Sequence, residues 1–332
     1  MLSSLARIGI TFDEFVWESS LLTDGGVDRV MERLRRAPHA LVEENGALAI
    51  DATPYGLPKE KATIIVARAN GTSLYAPRDI AYHLQKFARF PRVIDVLGQD
   101  HRLHARTLEA LLTEIGEPRR PEFILYQDLV VPEGGRMSAR KGTAVYLDHL
   151  LDEAVERARA EVRGRWPDAD APEVDRIATA VAAGAVRYHI LRVAPEKAVA
   201  FRWEDALAFE GRSGPFLQYA FVRATSLLRK AEADADPPTF RGEDLSTPSE
   251  RALVRTIARL PRTVEYSART AHVHTLAGYG YELAESFNRF YESVPVLKAD
   301  GERSSRLCLV WAARETLGNT LDLLGLPRLD RM

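Results

Sequence analysis

Strand-forming patterns occupy the first 147 residues of this chain and then nearly stop, and that switch constrains its architecture more than any other feature. From about residue 8 to 147, short β-branched and aromatic runs alternate with helical patterns, the mark of an α/β unit on a mostly parallel sheet. The expected strands are Ala62-Thr63-Ile64-Ile65-Val66-Ala67-Arg68, Arg92-Val93-Ile94-Asp95-Val96-Leu97 and Glu122-Phe123-Ile124-Leu125-Tyr126. Asn70-Gly71 predicts a tight hairpin between the first of these and Ser73-Leu74-Tyr75. Helices are expected over 77–87 and 101–115, the second stopping before Gly116. Beyond 147, apolar spacing predicts an amphipathic helix over 148–162, a turn-rich break over 166–172 and an alanine-rich helix over 174–191. Ala182-Ala183-Gly184-Ala185 leaves so little bulk that another element should pack closely there. From Gly214 onward, breaks at 234–238, 245–248, Pro261, 295–301 and 325–327 leave about five helices.

At 332 residues, 46% hydrophobic and 28% charged, the chain can build two domains with sizeable cores. Its formal net charge of −2 announces no polyanionic partner, so any nucleic-acid contact must come from local clusters. From residue 212 to the end, basic residues only slightly outnumber acidic ones, which makes uniform attraction to RNA weak. A single cysteine, Cys308, excludes an internal disulfide and fits a reducing compartment, so a cytoplasmic location is expected. No apolar stretch approaches the ~20 residues of a membrane span, and Met1-Leu2-Ser3-Ser4-Leu5-Ala6-Arg7 lacks the apolar core of a signal peptide.

The tract Arg136-Met137-Ser138-Ala139-Arg140-Lys141-Gly142 follows an apolar run and Pro132-Glu133-Gly134-Gly135. Glycine backbone N–H groups beside three cations suit phosphate, and could follow charge as it builds on a leaving pyrophosphate. The tract resembles a divergent KMSKS signature of class I aminoacyl-tRNA synthetases, in the Met-Ser-x-Arg-x-Gly style of arginyl-tRNA synthetases. Three further stretches extend the resemblance. Leu74-Tyr75-Ala76-Pro77-Arg78-Asp79-Ile80-Ala81-Tyr82-His83 is similar to that family's Tyr-x-x-Arg-Asp-Ile-Ala-Tyr-His element, and Val93 through Gly98-Gln99-Asp100-His101 to its Gly-x-Asp-His strand end. Asp205 through Glu210-Gly211-Arg212-Ser213-Gly214-Pro215-Phe216 to Ala220 resembles the run that introduces its anticodon-binding helices. The close, with Phe287-Asn288-Arg289-Phe290-Tyr291-Glu292, Leu321-Asp322-Leu323-Leu324-Gly325-Leu326 and a terminal Arg331-Met332, is also similar.

The resemblance implies a partial Rossmann-like class I catalytic domain over 1–147, a helical connecting region that contacts the tRNA stem over 148–211, and an all-α anticodon-binding bundle over 212–332. It implies ATP as substrate, with Mg²⁺ on its phosphates, and arginine and tRNA(Arg) as partners. Asp79 would take the arginine guanidinium through a two-bond fork that lysine cannot copy, and Tyr75 would lie against the same group. On periodicity alone, Asp79 reads as a first-turn acid offsetting a helix macrodipole, and the surrounding resemblance is what favours the arginine role. Gln99 would line the amino-acid side. Gly98, Asp100 and His101, beyond the carboxyl end of a strand, would meet the nucleotide. Arg136, Met137, Ser138, Arg140 and Lys141 would serve the phosphates, with Ala139 standing where the usual second lysine would be. Arg223, Arg289, Arg306 and Met332 are expected on the tRNA face. Tyr279, Tyr281, Phe287, Phe290, Tyr291 and Trp311 could stack on unpaired bases, but their helical spacing assigns most of them to a core. His101 and His104 read as ordinary helix histidines rather than as metal ligands, since a Zn²⁺ site needs more.

The family's early His-x-Gly-His signature is not found in this sequence. The expectation is therefore the carboxyl-terminal portion of an arginine–tRNA ligase, inactive alone and completed by a longer gene product or by a separate polypeptide. The alternative is a non-catalytic tRNA-binding or regulatory paralog, and a ligase for another amino acid is a third reading.

Overall fold

The structure, a computed structural model, describes residues 2–127, 129–131, 135–136, 146–233, 236–299 and 301–332, with backbone alone at 129–131 and 135–136. It divides into two compact units, Phe12–Gln127 and the remainder. Helix α1 (Leu2–Ala6) opens the chain and belongs to the larger unit.

In the smaller unit, α2 (Glu18–Thr23) and α3 (Gly26–Arg35) precede β1 (Ala40–Val42), β2 (Leu48–Asp51) and β3 (Thr63–Ala67). Then come α4 (Tyr75–Arg89), β4 (Ile94–Gly98), α5 (Arg102–Glu114) and β5 (Glu122–Tyr126). The expected mostly parallel sheet is not what forms: β1-β2-β3 is an antiparallel meander, and only β4 and β5 pair in parallel here. The cause is connection length. A parallel return needs a crossover of a dozen or more residues, usually a helix. The turn between β1 and β2 is far too short for one, whereas α5 supplies it between β4 and β5, in register from Ile94↔Glu122 to Gly98↔Tyr126. The Asn70-Gly71 turn closes as expected, with Arg68 N–H donating to Thr72 O at 2.9 Å, but its return is a single bridge between Ala67 and Ser73 because α4 begins at Tyr75. The apolar faces of these elements meet in one core that wholly buries Leu34, Ile50, Val66, Ile80, Leu111 and Leu112.

The larger unit continues with β6 (Leu129–Val131), β7 (Gly135–Arg136), α6 (Leu147–Arg165), α7 (Ala171–Leu191), β8 (Val199–Ala200) and α8 (Trp203–Ala206). Helices α9 (Gly214–Lys230), α10 (Pro248–Ala258), α11 (Leu260–Thr270), α12 (Val273–Ser293) and α13 (Arg303–Leu324) complete it, the five expected. β6 pairs antiparallel with β7 and parallel with β8. The helix starts are chemically marked: Asp170 and Ser213 accept from the N–H three residues on, and Thr247 with Glu250 forms a capping box. Gly325 ends α13 in the left-handed conformation, φ 67°, and Leu326 N–H returns to Leu321 O at 2.8 Å. One core gathers Leu217, Phe221, Tyr279, Phe287 and Phe290; another joins α6 and α7 through Leu151, Ala154, Ala158, Ile177 and Val181. Among the described residues no helix is long and apolar enough to cross a membrane.

The close packing expected at Gly184 is with α9. A Cβ on Gly214 would stand 2.3 Å from the Gly184 carbonyl oxygen, and one on Gly184 would stand 2.8 Å from the Gln218 amide. Backbone cannot rotate away as a side chain can, so Gly214→Ala should destabilise the larger unit by about 1–3 kcal/mol. Gly164→Ala, within α6 and facing open space, should gain about 0.5–1 kcal/mol. Urea unfolding followed by circular dichroism checks both; equal effects would refute the close approach.

Candidate active site

Helix α4 carries the site, and it starts two residues earlier than sequence spacing predicts. Pro77 is accommodated in the first turn because the N–H groups there have no intrahelical partner. Asp79 therefore lies in the second turn and no acid lies in the first, which removes the macrodipole reading of this residue. Positions 75, 79, 82, 83 and 86 share one face of the helix.

Asp79, its side chain 25% exposed, lines a cleft of about 290 Å³ together with Glu18, Tyr75, Arg78, Tyr82 and His104. Tyr75 is exposed, and the Arg78 guanidinium lies 5.9 Å from its ring centroid while pairing with Glu18 at 2.7 Å. His104 of α5 meets the Asp79 carboxylate, Nε2 to Oδ2, at 2.8 Å. Behind Asp79 the buried His83 faces acceptors at both ring nitrogens. Its Nδ1 lies 2.8 Å from Asp79 O and 3.3 Å from Asp79 Oδ1, and its Nε2 lies 2.6 Å from Asp95 Oδ2. Lys86 Nζ reaches Asp95 Oδ1 at 2.7 Å. The carboxylates facing the His83 ring favour its doubly protonated, imidazolium form. Lys86 Nζ also stands 3.0 Å from His83 Nε2, so lysine and ring share the Asp95 carboxylate.

Burial works against charge on Asp79, but hydrogen bonds from His104 and His83 prevail and hold it well below the usual carboxylate range. Burial likewise lowers His83, yet the bonds to Asp79 and Asp95 push it up to about 9 from 6.5. The hydrogen bond that His104 donates to Asp79 raises the His104 pKa, and Asp95 is depressed because bonds from His83 and Lys86 outweigh its desolvation. The folded-state pKa of His83 is raised, so its stabilisation is complete below about pH 6.5 and is lost as pH rises through about 9. The depressed carboxylates contribute above their ordinary range and lose that contribution as pH falls. The thermal midpoint of the smaller unit should accordingly decline between about pH 6.5 and 9, and His83→Asn should flatten that decline; a wild-type midpoint constant over the interval would refute the imidazolium.

Of the residues singled out from sequence, Tyr75 and Asp79 meet in one cleft. Gly98 ends β4, and Gln99, Asp100 and His101 form the single turn into α5, outside the cleft's lining. Asp100 is exposed, and the His101 ring stands edge-on to His104 at 6.1 Å. His104 is thus no ordinary helix histidine, and it was missed, as were His83, Lys86 and Asp95. Their signals were present: Asp79 and His83 at i,i+4 spacing, and an acid inside the apolar run Val93-Ile94-Asp95-Val96. Met137, Ser138, Arg140 and Lys141 lie outside the described residues, and only the backbone of Arg136 is described, in β7.

In the larger unit, Arg223 lies between the rings of Tyr219 and Tyr291, 4.7 Å from each centroid, and donates to Asn288 Oδ1 at 2.9 Å. Arg289 is exposed, and Met332 packs against the α6–α7 core. Arg306, expected on the tRNA face, is instead mostly withdrawn from solvent in an ion pair with the buried Glu250 at 2.8 Å, the side chains 11% and 0% exposed. Burying the capping-box carboxylate requires a cation beside it, and Arg306 is that cation. Arg306→Ala should therefore cost about 3–5 kcal/mol in stability. Denaturant titration checks this, and an unchanged midpoint would return Arg306 to the surface. Tyr279, Phe287 and Phe290 are buried as their spacing predicts, whereas Tyr291 is 39% exposed.

Comparison with known proteins identifies the family. Residues 217–332 match the family model for the DALR anticodon binding domain, and residues 4–203 that for the catalytic domain of class I (R) tRNA synthetases. The arginine–tRNA ligase of Methanocella arvoryzae is 44% identical over 330 residues, covering 99% of this chain and 57% of that protein. The Methanothermobacter thermautotrophicus arginine–tRNA ligase is also 44% identical, over all of this chain and 57% of its own length. The solved Thermus thermophilus arginyl-tRNA synthetase superposes with a TM-score of 0.87 at 30% identity, across 99% of this chain and 62% of that one. The chain belongs to the class I arginyl-tRNA synthetase family, and it spans under two thirds of the length of these relatives.

Proposed function

We propose that this chain carries the arginine-recognising part of an arginine–tRNA ligase, which joins arginine to the terminal adenosine of tRNA(Arg) through arginyl-adenylate. The observation that carries the reading is a carboxylate held charged at the wall of a small cleft beside an aromatic ring, Asp79 with Tyr75. A guanidinium entering there can fork onto Asp79 and lie against Tyr75, as the resident Arg78 already lies near that ring. His104 occupies one Asp79 oxygen, so it must share the carboxylate with the ligand or turn aside.

ATP would be the second substrate, with Gly98, Asp100 and His101 toward the nucleotide, Gln99 toward the amino acid, and Arg136 to Lys141 over the phosphates. Mg²⁺ would accompany the nucleotide's phosphates. We assign residues 1–147 to catalysis, 148–211 to the connection near the tRNA stem and 212–332 to anticodon binding, with Arg223, Arg289 and the terminal Met332 toward tRNA. The role of the His-x-Gly-His signature falls to residues outside this sequence, on a longer product or a separate polypeptide. The cytoplasm is the compartment that suits this reaction.

Calorimetry with the full chain tests the reading without requiring turnover. Arginine should bind, citrulline and lysine should not compete, and Asp79→Asn should weaken arginine by about 100-fold, the loss of one partner from a desolvated charge pair. Equal affinity in wild type and Asp79→Asn would sink the assignment.

A further inference from the structure

Asp79 belongs to an alternating file of charges whose inner members a ligand in the cleft need not touch. Asp79, His83 and Lys86 come from α4, Asp95 from β4 and His104 from α5, so three elements converge on one buried ring. These are the charged groups facing His83, and their signs alternate: His104 with Asp79, Asp79 with His83, His83 with Asp95, Asp95 with Lys86. His83, its side chain 3% exposed, cannot reach solvent or a ligand in the cleft, yet it bonds the main chain of the residue that lines it and stands 3.3 Å from that residue's carboxylate.

Resting on the reading above, we propose that His83 is a positioning residue: clamped by Asp95, its ring fixes the rotamer of the Asp79 carboxylate so that a guanidinium fork meets two correctly turned oxygens. Three features support this. A carboxylate one methylene from the helix backbone has several rotamers, and a bidentate fork accepts few of them. The His83 Nδ1–H donates to Asp79 O at 2.8 Å while Nδ1 stands 3.3 Å from Asp79 Oδ1, which ties side-chain direction to the helix axis. Asp95, on the far side, anchors the ring in a strand rather than in the same helix, so the register of β4 against α4 is transmitted to the cleft.

The clamp makes a ring with both nitrogens protonated, and it makes Asp79 depend on His83 for its direction. The test uses the full chain with His83→Asn, Asp95→Asn, the double variant and Asp79→Asn, each first checked for a native thermal transition. Arginine affinity by calorimetry should fall about tenfold in His83→Asn, the loss of one charge-assisted hydrogen bond. Asp95→Asn should fall by a similar factor, and the double variant should be no worse than either single, because both break one linkage. Side-chain ¹⁵N spectra should show both His83 nitrogens protonated at neutral pH in wild type and a shift toward a neutral ring in Asp95→Asn, a signature that a purely packing role would not produce. If His83→Asn does not fold, the Asp95→Asn affinity and spectrum decide the matter. Loss of arginine binding in Asp79→Asn with full retention in both folded His83 and Asp95 variants, or a neutral His83 in wild type, overturns the positioning role and leaves the arginine site standing. Undiminished binding in Asp79→Asn, or none by the wild-type chain, removes the site and this inference together.

Discussion

The contacts that His83 makes on both sides, to the Asp79 main-chain oxygen at 2.8 Å and carboxylate at 3.3 Å and to the Asp95 carboxylate at 2.6 Å, are the interaction on which the Asp79 cleft depends. A charged ring inside a protein is costly unless carboxylates face it, and carboxylates so placed are costly unless a cation lies between them. Each group therefore fixes the others' protonation state. The result is a carboxylate that stays charged while largely screened from water, which is what selective binding of a guanidinium requires.

The fold supplies the placement. Strand β4 brings Asp95 beneath α4, and the turn after β4 leads into α5, which returns His104 to the rim of the same cleft. This short βαβ unit is the part of the smaller unit that keeps the parallel pairing of an open α/β sheet; the meander of β1 to β3 lies in its core without contributing a side chain to the cleft. The helices of the larger unit follow a different economy, in which apolar stripes, capping residues and the bare backbone contact between Gly184 and Gly214 set the packing.

Much of this was legible in the sequence. The loss of strand patterns after residue 147, the alanine-rich helix and its close neighbour, and the five terminal helices all follow from periodicity and punctuation that need no tertiary information. The resemblance in the Tyr75 to His83 stretch named Asp79, and the structure puts Tyr75 and Asp79 in one cleft. What sequence did not yield was pairing. Strands β1 and β2 are three and four residues long, too short for alternation to stand out, and their antiparallel pairing depends on turns rather than composition. Asp95 and His104 sit far along the chain from Asp79, so their partnership appears only once β4 and α5 are folded beside α4. Arg306 shows the converse: a cation read as surface is drawn inward by the buried carboxylate of Glu250.

The central claim, that the Asp79 carboxylate receives a guanidinium, is most directly tested by carboxyl ¹³C spectroscopy of the folded chain during titration with ligand. The Asp79 resonance should move with arginine and stay still with citrulline, which has the same shape but no charge. A resonance unmoved by arginine, or moved equally by both, would contradict the account.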